Sequence, residues 1–136
     1  MDVVVILDDN NGMCFNGRRL SMDSVLREHM ISFFGNRTIY MNSYSASQFD
    51  KTPFVVREDF LAAAGANDVC FVENHYLAPL RDKIGALYVY RWNRLYPSDM
   101  KIDLPLHIYP RRVLMEFSGS SHNRITLEVY DVKSDW

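Results

Sequence analysis

Cysteine and histidine are scarce. Two cysteines, Cys14 and Cys70, stand in 136 residues, too few for a disulfide framework and too far apart for a thiolate metal motif. The four histidines, His29, His75, His107 and His122, are scattered along the chain. None pairs at the i, i+2 or i, i+4 spacing that brings two imidazoles to one metal, so no metal ligands are assigned. No apolar run approaches the roughly 20 residues that span a bilayer. The short run Val3–Leu7 lies between Asp2 and Asp8-Asp9, without the basic start or the length of a secretory leader. A cytoplasmic protein with no membrane partner is expected. A dominant charge is lacking too. A net charge of −2 and a pI near 6.0 argue against nucleic acid as a partner.

What remains is an ordinary globular composition, 48 % hydrophobic and 24 % charged, at a length that suits one domain over residues 1–136. The cations are unusual in kind. Eleven are Arg and four are Lys, and the arginines come in pairs: Arg18-Arg19, Arg91 with Arg94, and Arg111-Arg112. A guanidinium grips carboxylate or phosphate with two parallel hydrogen bonds, which an ammonium cannot do. Each pair is therefore either an ion-pairing element or part of an anion site. Cys70, inside Val69–Val72, reads as a small core residue. Cys14 falls in a polar stretch and is expected to be accessible, with no neighbour that would make it a catalytic thiol.

Hydrophobic period predicts alternating strands and helices. Val3–Leu7 is a continuous aliphatic strand suited to the centre of a sheet. Asp8–Ser21 reads as a polar loop with Gly12 and Gly17 as turn points. Ser21 is expected to cap a helix to Phe34, with Val25, Leu26, Met30 and Phe33 as its apolar stripe. Thr38–Met41, Phe54–Val56, Val69–Val72 and Leu87–Tyr90 read as further strands. Between them come a Ser43-capped helix to Phe49, a helix over Asp59–Ala64, and an Asn74-capped helix ending at Gly85. Trp92–Pro110 is irregular, with three of the five prolines. Arg112–Phe117 and Arg124–Asp131 form a hairpin around Ser118–Asn123. The expected fold is α/β, a mostly parallel central sheet with helices on both faces and a C-terminal antiparallel hairpin.

In such sheets ligands bind beyond the carboxyl ends of the strands, where strand order reverses. That rule selects the segments after strands one, two and four. Asp8, Glu73 and His75 are the catalytic candidates there: clustered carboxylates hold a hard cation or raise one another's pKa, and a histidine moves protons near neutrality. Asp9, Asn11, Phe15, Asn16, Arg18, Arg19, Asn42, Ser43 and Asn74 are the ligand-binding candidates. Phe15–Arg19 joins an aromatic ring, a glycine and two arginines in one loop, a combination fit to clamp a small anion. Each acid has an alternative role as a cap on a helix start. Ser118–Asn123 can cradle phosphate on its N–H groups or serve simply as a polar turn. Tyr88, Tyr90 and Trp92 share one strand face, which either stacks a flat ring with Tyr96, lies beneath a helix, or forms a homodimer face.

This order of elements resembles dihydrofolate reductase. The resemblance rests on Asp9–Ser21 after the first strand, on Val69–Tyr76, and on the closing hairpin. It implies the fold of that family and a pterin- and NADPH-type crevice, with Asp23 or Glu28 as the counterpart of the acid that faces the pterin. Glu73-Asn74 stands where the family has paired glycines beside the cofactor pyrophosphate. Met41-Asn42-Ser43 stands where it has a Gly-Arg phosphate grip. Tight NADPH binding is therefore not expected. The chain is also similar to short bacterial proteins labelled ribonuclease Z, a label that implies a two-zinc phosphoester hydrolase built on a His-x-His-x-Asp-His cluster. This sequence has no such cluster. Two functions follow from different classes: a protein binding a small nucleotide-like or pterin-like anion without NADPH-dependent reduction, or a non-catalytic self-associating module.

Overall fold

The computed structural model describes residues 1–50 and 53–133. Its main sheet has seven strands in the order β5-β4-β6-β1-β7-β10-β9. These are β1 Asp2–Leu7, β4 Ile39–Met41, β5 Val55–Val56, β6 Val69–Phe71, β7 Ala86–Arg91, β9 Arg111–Phe117 and β10 Ile125–Asp131. From β5 across to β7 every pairing is parallel. β10 then runs antiparallel to both β7 and β9. A second, three-stranded sheet joins β2 Gly12–Phe15 to β3 Arg18–Arg19 and to β8 Met100–Lys101, both antiparallel. The helices are α1 Ser24–Phe34, α2 Ser43–Ala46 and α3 Phe60–Ala63, with 3-10 turns at Ala78–Lys83 and Leu106–Ile108.

β1 is apolar without alternation because both of its faces are covered. Val3, Val5 and Leu7 enter one core layer with Cys70, Val72, Leu87, Val89 and Phe60 of α3. Val4 enters the other with Val69, Phe71 and Tyr90, beneath Leu26, Met30 and Phe34 of α1. Each such aliphatic side chain, fully buried, stabilises by about 1.5–3 kcal/mol over exposure. No helix among the described residues is long and apolar enough to cross a membrane.

The expected parallel sheet and closing hairpin are present. Several local expectations are not. Asp8–Ser21 is not a loop: Asn16 (φ 51°) and Gly17 (φ 72°) turn β2 into β3, a two-residue hairpin whose left-handed dihedrals suit Asn-Gly. Its partner β8 lies in the stretch read as irregular. The α1 cap is Asp23 rather than Ser21; its Oδ1 accepts from Val25 N and Leu26 N at 3.0 and 3.1 Å. Asn42, not Ser43, caps α2, accepting from Ser45 N at 2.9 Å, and the helix ends at Ala46 rather than Phe49. Asn74 caps nothing: the segment forms only the 3-10 turn Ala78–Lys83, with Pro79 in its first turn. The carboxylate of Asp103 supplies the acceptors there, for Leu77 N and Ala78 N.

Candidate functional site

The ends of β1, β4 and β6 meet the β2–β3 hairpin around Glu73. This carboxylate is buried, and Arg19 reaches it from β3. Arg19 Nε donates to Glu73 Oε2 at 3.0 Å and Nη2 to Oε1 at 3.2 Å. Gln48 Nε2 donates to Oε1 at 3.1 Å. The guanidinium also lies over the Tyr44 ring, 4.2 Å from its centroid, and donates to the Tyr44 carbonyl. Planarity lets one arginine fork a carboxylate and stack on an aromatic face together. Only about 10 Å³ remains open beside the pair, between Ile6, Met13, Leu20, Ser21 and Trp92.

The other acidic candidates serve the backbone. Asp8 is fully buried. Its Oδ1 accepts from Asn10 N and Gly12 N at 2.9 and 2.7 Å, and its Oδ2 from Tyr96 N at 3.0 Å. Three backbone N–H groups hold this buried carboxylate, which fixes the turn. A side chain at Gly12 would meet Ser98 Oγ at 2.5 Å and Asp8 Oδ1 at 2.9 Å. Asn11, left-handed at φ 61°, holds Arg91 Nη1 on its Oδ1 at 2.6 Å. Asp9 is exposed. Asn42 Nδ2 donates to Asn74 Oδ1 at 3.3 Å, and Ser43 N to Glu58 Oε2 at 2.9 Å. His75 packs edge-on against Phe60, ring centroids 5.3 Å apart, with a buried Nδ1 that has no partner among the described residues. No three His, Cys, Asp or Glu side chains among the described residues are grouped to hold a metal.

The remaining candidates do converge. Phe15, Asn16, Arg18 and Arg19 line a hollow of about 770 Å³ with Tyr96 and Pro97. A second groove, of about 640 Å³, lies beside α1; Arg27, Glu28, Ile31, Phe49, Asp50 and Pro53 line it. Of these only Glu28 is a candidate from the sequence, and only through the resemblance; the others follow no strand end. The arginine pairs divide in a consistent way. Arg19 binds Glu73, while Arg91 and Arg111 both bind the buried Glu128. Their companions Arg18, Arg94 and Arg112 make no side-chain hydrogen bond or ion pair among the described residues.

The Ser118–Asn123 turn does cradle an anion, and the anion is Asp23. Ser120 N and Ser121 N donate to its carboxylate at 3.0 and 2.9 Å, and His122 Nδ1 lies 3.1 Å from Oδ2. Burial would raise this carboxyl. The N–H groups of Ser121, Ser120 and Leu26, with His122, outweigh that and hold it well below the usual carboxylate range. Ser121 Oγ and Asp23 share Nδ1 of His122, while Nε2 faces Tyr96 OH at 2.7 Å. A serine nucleophile needs its base on the other nitrogen, so this is no Ser–His–Asp triad. Tyr90 and Trp92 are buried beneath α1, which takes them from the candidate stacking platform and from any dimer face.

No family model matches the chain, and no curated protein matches it either. Among solved structures it is similar to the dihydrofolate reductase of Enterococcus faecalis, complexed with NADP(H) and RAB-propyl. The TM-score is 0.61 over 96 % of this chain and 94 % of that one, at 11 % identity. The fold is that of dihydrofolate reductase.

Within that dihydrofolate-reductase-like fold, Asp23 is the N-cap of α1 and is buried against the closing turn. Glu28, one turn on, is exposed beside the groove of α1. Ribonuclease Z finds no sequence-based support.

Proposed function

We infer that the protein binds a small anionic molecule carrying a flat ring, in the hollow between the β2–β3 hairpin and Tyr96-Pro97, and does not carry out NADPH-dependent reduction. One observation carries the reading. Arg18 points its charge to solvent, without a partner among the described residues, on the rim of a hollow that also exposes Phe15. A ring stacks on an aromatic face while a guanidinium holds the charge.

The structural neighbour is complexed with NADP(H). The residues here do not fit that cofactor. At the end of β6, Glu73 and Arg19 fill the space with their own side chains, and about 10 Å³ is left between them and Trp92. The obstacle is chiefly shape, because Arg19 already neutralises the carboxylate.

A thermal-shift panel of nucleotides, folates and NADPH tests the reading, run on the wild type and on Arg18→Ala. A true ligand at a hundredfold excess over Kd stabilises by roughly 2.7 kcal/mol. The expected result is a shift with a nucleotide or folate that disappears in Arg18→Ala. Silence across the panel, or a shift that Arg18→Ala leaves intact, overturns the site. The self-associating alternative then rests on a concentration-dependent dimer in sedimentation.

A further inference from the structure

Arg94 and Arg124 face a separate hollow of about 220 Å³, bounded also by Trp92, Asn93 and Asn123. Both arginines are exposed, and neither side chain has a hydrogen bond or ion pair among the described residues. No acidic residue lines the hollow. The two backbones are held in place. Asn93, left-handed at φ 56°, donates from Nδ2 to the Arg124 carbonyl at 3.1 Å and to Thr126 Oγ1 at 2.9 Å. Asp9 N donates to the Arg94 carbonyl, and Trp92 N to the Leu7 carbonyl, at 2.9 and 3.0 Å. Two guanidiniums are thus kept beside one polar pit with no protein anion between them, whereas Arg19, Arg91 and Arg111 are each matched to a glutamate.

We propose that this hollow binds the phosphoryl group of a small phosphate monoester. Two guanidinium forks and the Asn123 amide offer more donors than the two oxygens of a carboxylate can accept. A phosphoryl group has three terminal oxygens and nearly two negative charges. The volume equals about seven water molecules' share of liquid, which accommodates the phosphoryl group and the first part of its substituent. This site does not depend on the ligand inferred at Arg18.

Isothermal titration at low salt tests it, with ribose 5-phosphate, inorganic phosphate and ribose as the probes. Ribose 5-phosphate is expected to bind more tightly than inorganic phosphate, ribose not at all, with affinity falling as sodium chloride rises. Arg94→Ala and Arg124→Ala are each expected to weaken binding about tenfold, the loss of one charge-assisted contact. Arg124→Lys is expected to recover only part of that, and Arg18→Ala to change nothing. Both positions are exposed, and circular dichroism confirms that the variants fold. The proposal is overturned by absence of binding at millimolar ribose 5-phosphate, or by equal binding of inorganic phosphate. Binding that survives both alanine variants, or that vanishes in Arg18→Ala, also overturns it.

Discussion

Arg19 and Glu73 share two hydrogen bonds, 3.0 and 3.2 Å long, across the place where a parallel sheet of this order opens a ligand crevice. The glutamate is almost wholly buried and the arginine partly so, with side-chain exposures of 5 % and 17 %. Removing one member of such a pair strands the other charge in low dielectric.

Glu73→Gln is therefore expected to lower stability by about 2–4 kcal/mol, since Arg19 retains some access to water. Urea denaturation measures this. A double replacement by Leu at Glu73 and Met at Arg19 should recover most of the loss, because no lone charge remains. A single variant as stable as the wild type would show that the pair contributes nothing to the fold.

NADPH titrated by fluorescence is expected to show no micromolar binding to the wild type. Glu73→Gly removes the carboxylate and frees Arg19 to meet a phosphate, so any binding should appear in that variant first. Micromolar binding by the wild type would contradict the inferred loss of the cofactor site.

Gly119→Ala is expected to cost about 1–3 kcal/mol. A Cβ there would stand 2.2 Å from Asp23 Oδ2 and 2.7 Å from Ile125 Cδ1, so the turn must release the carboxylate or shift the strand. The melting temperature reads this directly, and an unchanged value would mean that the turn relaxes freely.

Stability should rise with pH from acid to neutral. Asp23 and Glu128 both lie below the usual carboxyl values. For Glu128, burial acts upward and the hydrogen bonds from Arg91 and Arg111 outweigh it. A depressed carboxyl contributes stability above its unfolded value, near 4, and loses it as pH falls further. Burial lowers His29, whose Nδ1 lies 2.6 Å from Tyr90 OH. An imidazole kept neutral loses stability as pH falls below about 6.5, in the same direction. Chemical denaturation at several pH values checks the slope. Asp23→Asn should flatten it below pH 4 (roughly the ordinary aspartate value), and an unchanged slope there would assign the acid sensitivity elsewhere.

Neither thiol should react with a disulfide reagent in the native state. Burial pushes Cys70 up to about 12 and also raises Cys14, with Asp99 adding to the latter. Both should react once the protein is unfolded in urea. Fast reaction of Cys14 before unfolding would show that the β2–β8 pairing opens readily.

The sheet was legible because its signal is the alternation of apolar runs, which burial on both faces of β1 and β6 enforces. Cys14 was misplaced because Gly12–Phe15 is too short to show a period; only Asn16-Gly17 marked a hairpin. The caps erred by one or two residues where Asn42 and Asp23 stand near competing serines. Phe15, Asn16, Arg18 and Arg19 do come together around one hollow. Asp8 and Glu73 could not be judged from sequence, since what decides a carboxylate's role is its partner: Tyr96 N for one and Arg19 for the other, 88 and 54 residues away. The same holds for Asp23, which fills an anion cradle built 97 residues later.

β1 sits in the middle of the sheet with β6 on one side and β7 on the other. β1 therefore leaves the ribosome before its partners, which are made some 65 and 80 residues later. Until then Val3–Leu7 is an apolar ribbon with two bare edges. Nascent chains that stop before residue 91 should be recognised by chaperones rather than fold, and the order of synthesis runs against the order in which this sheet can close.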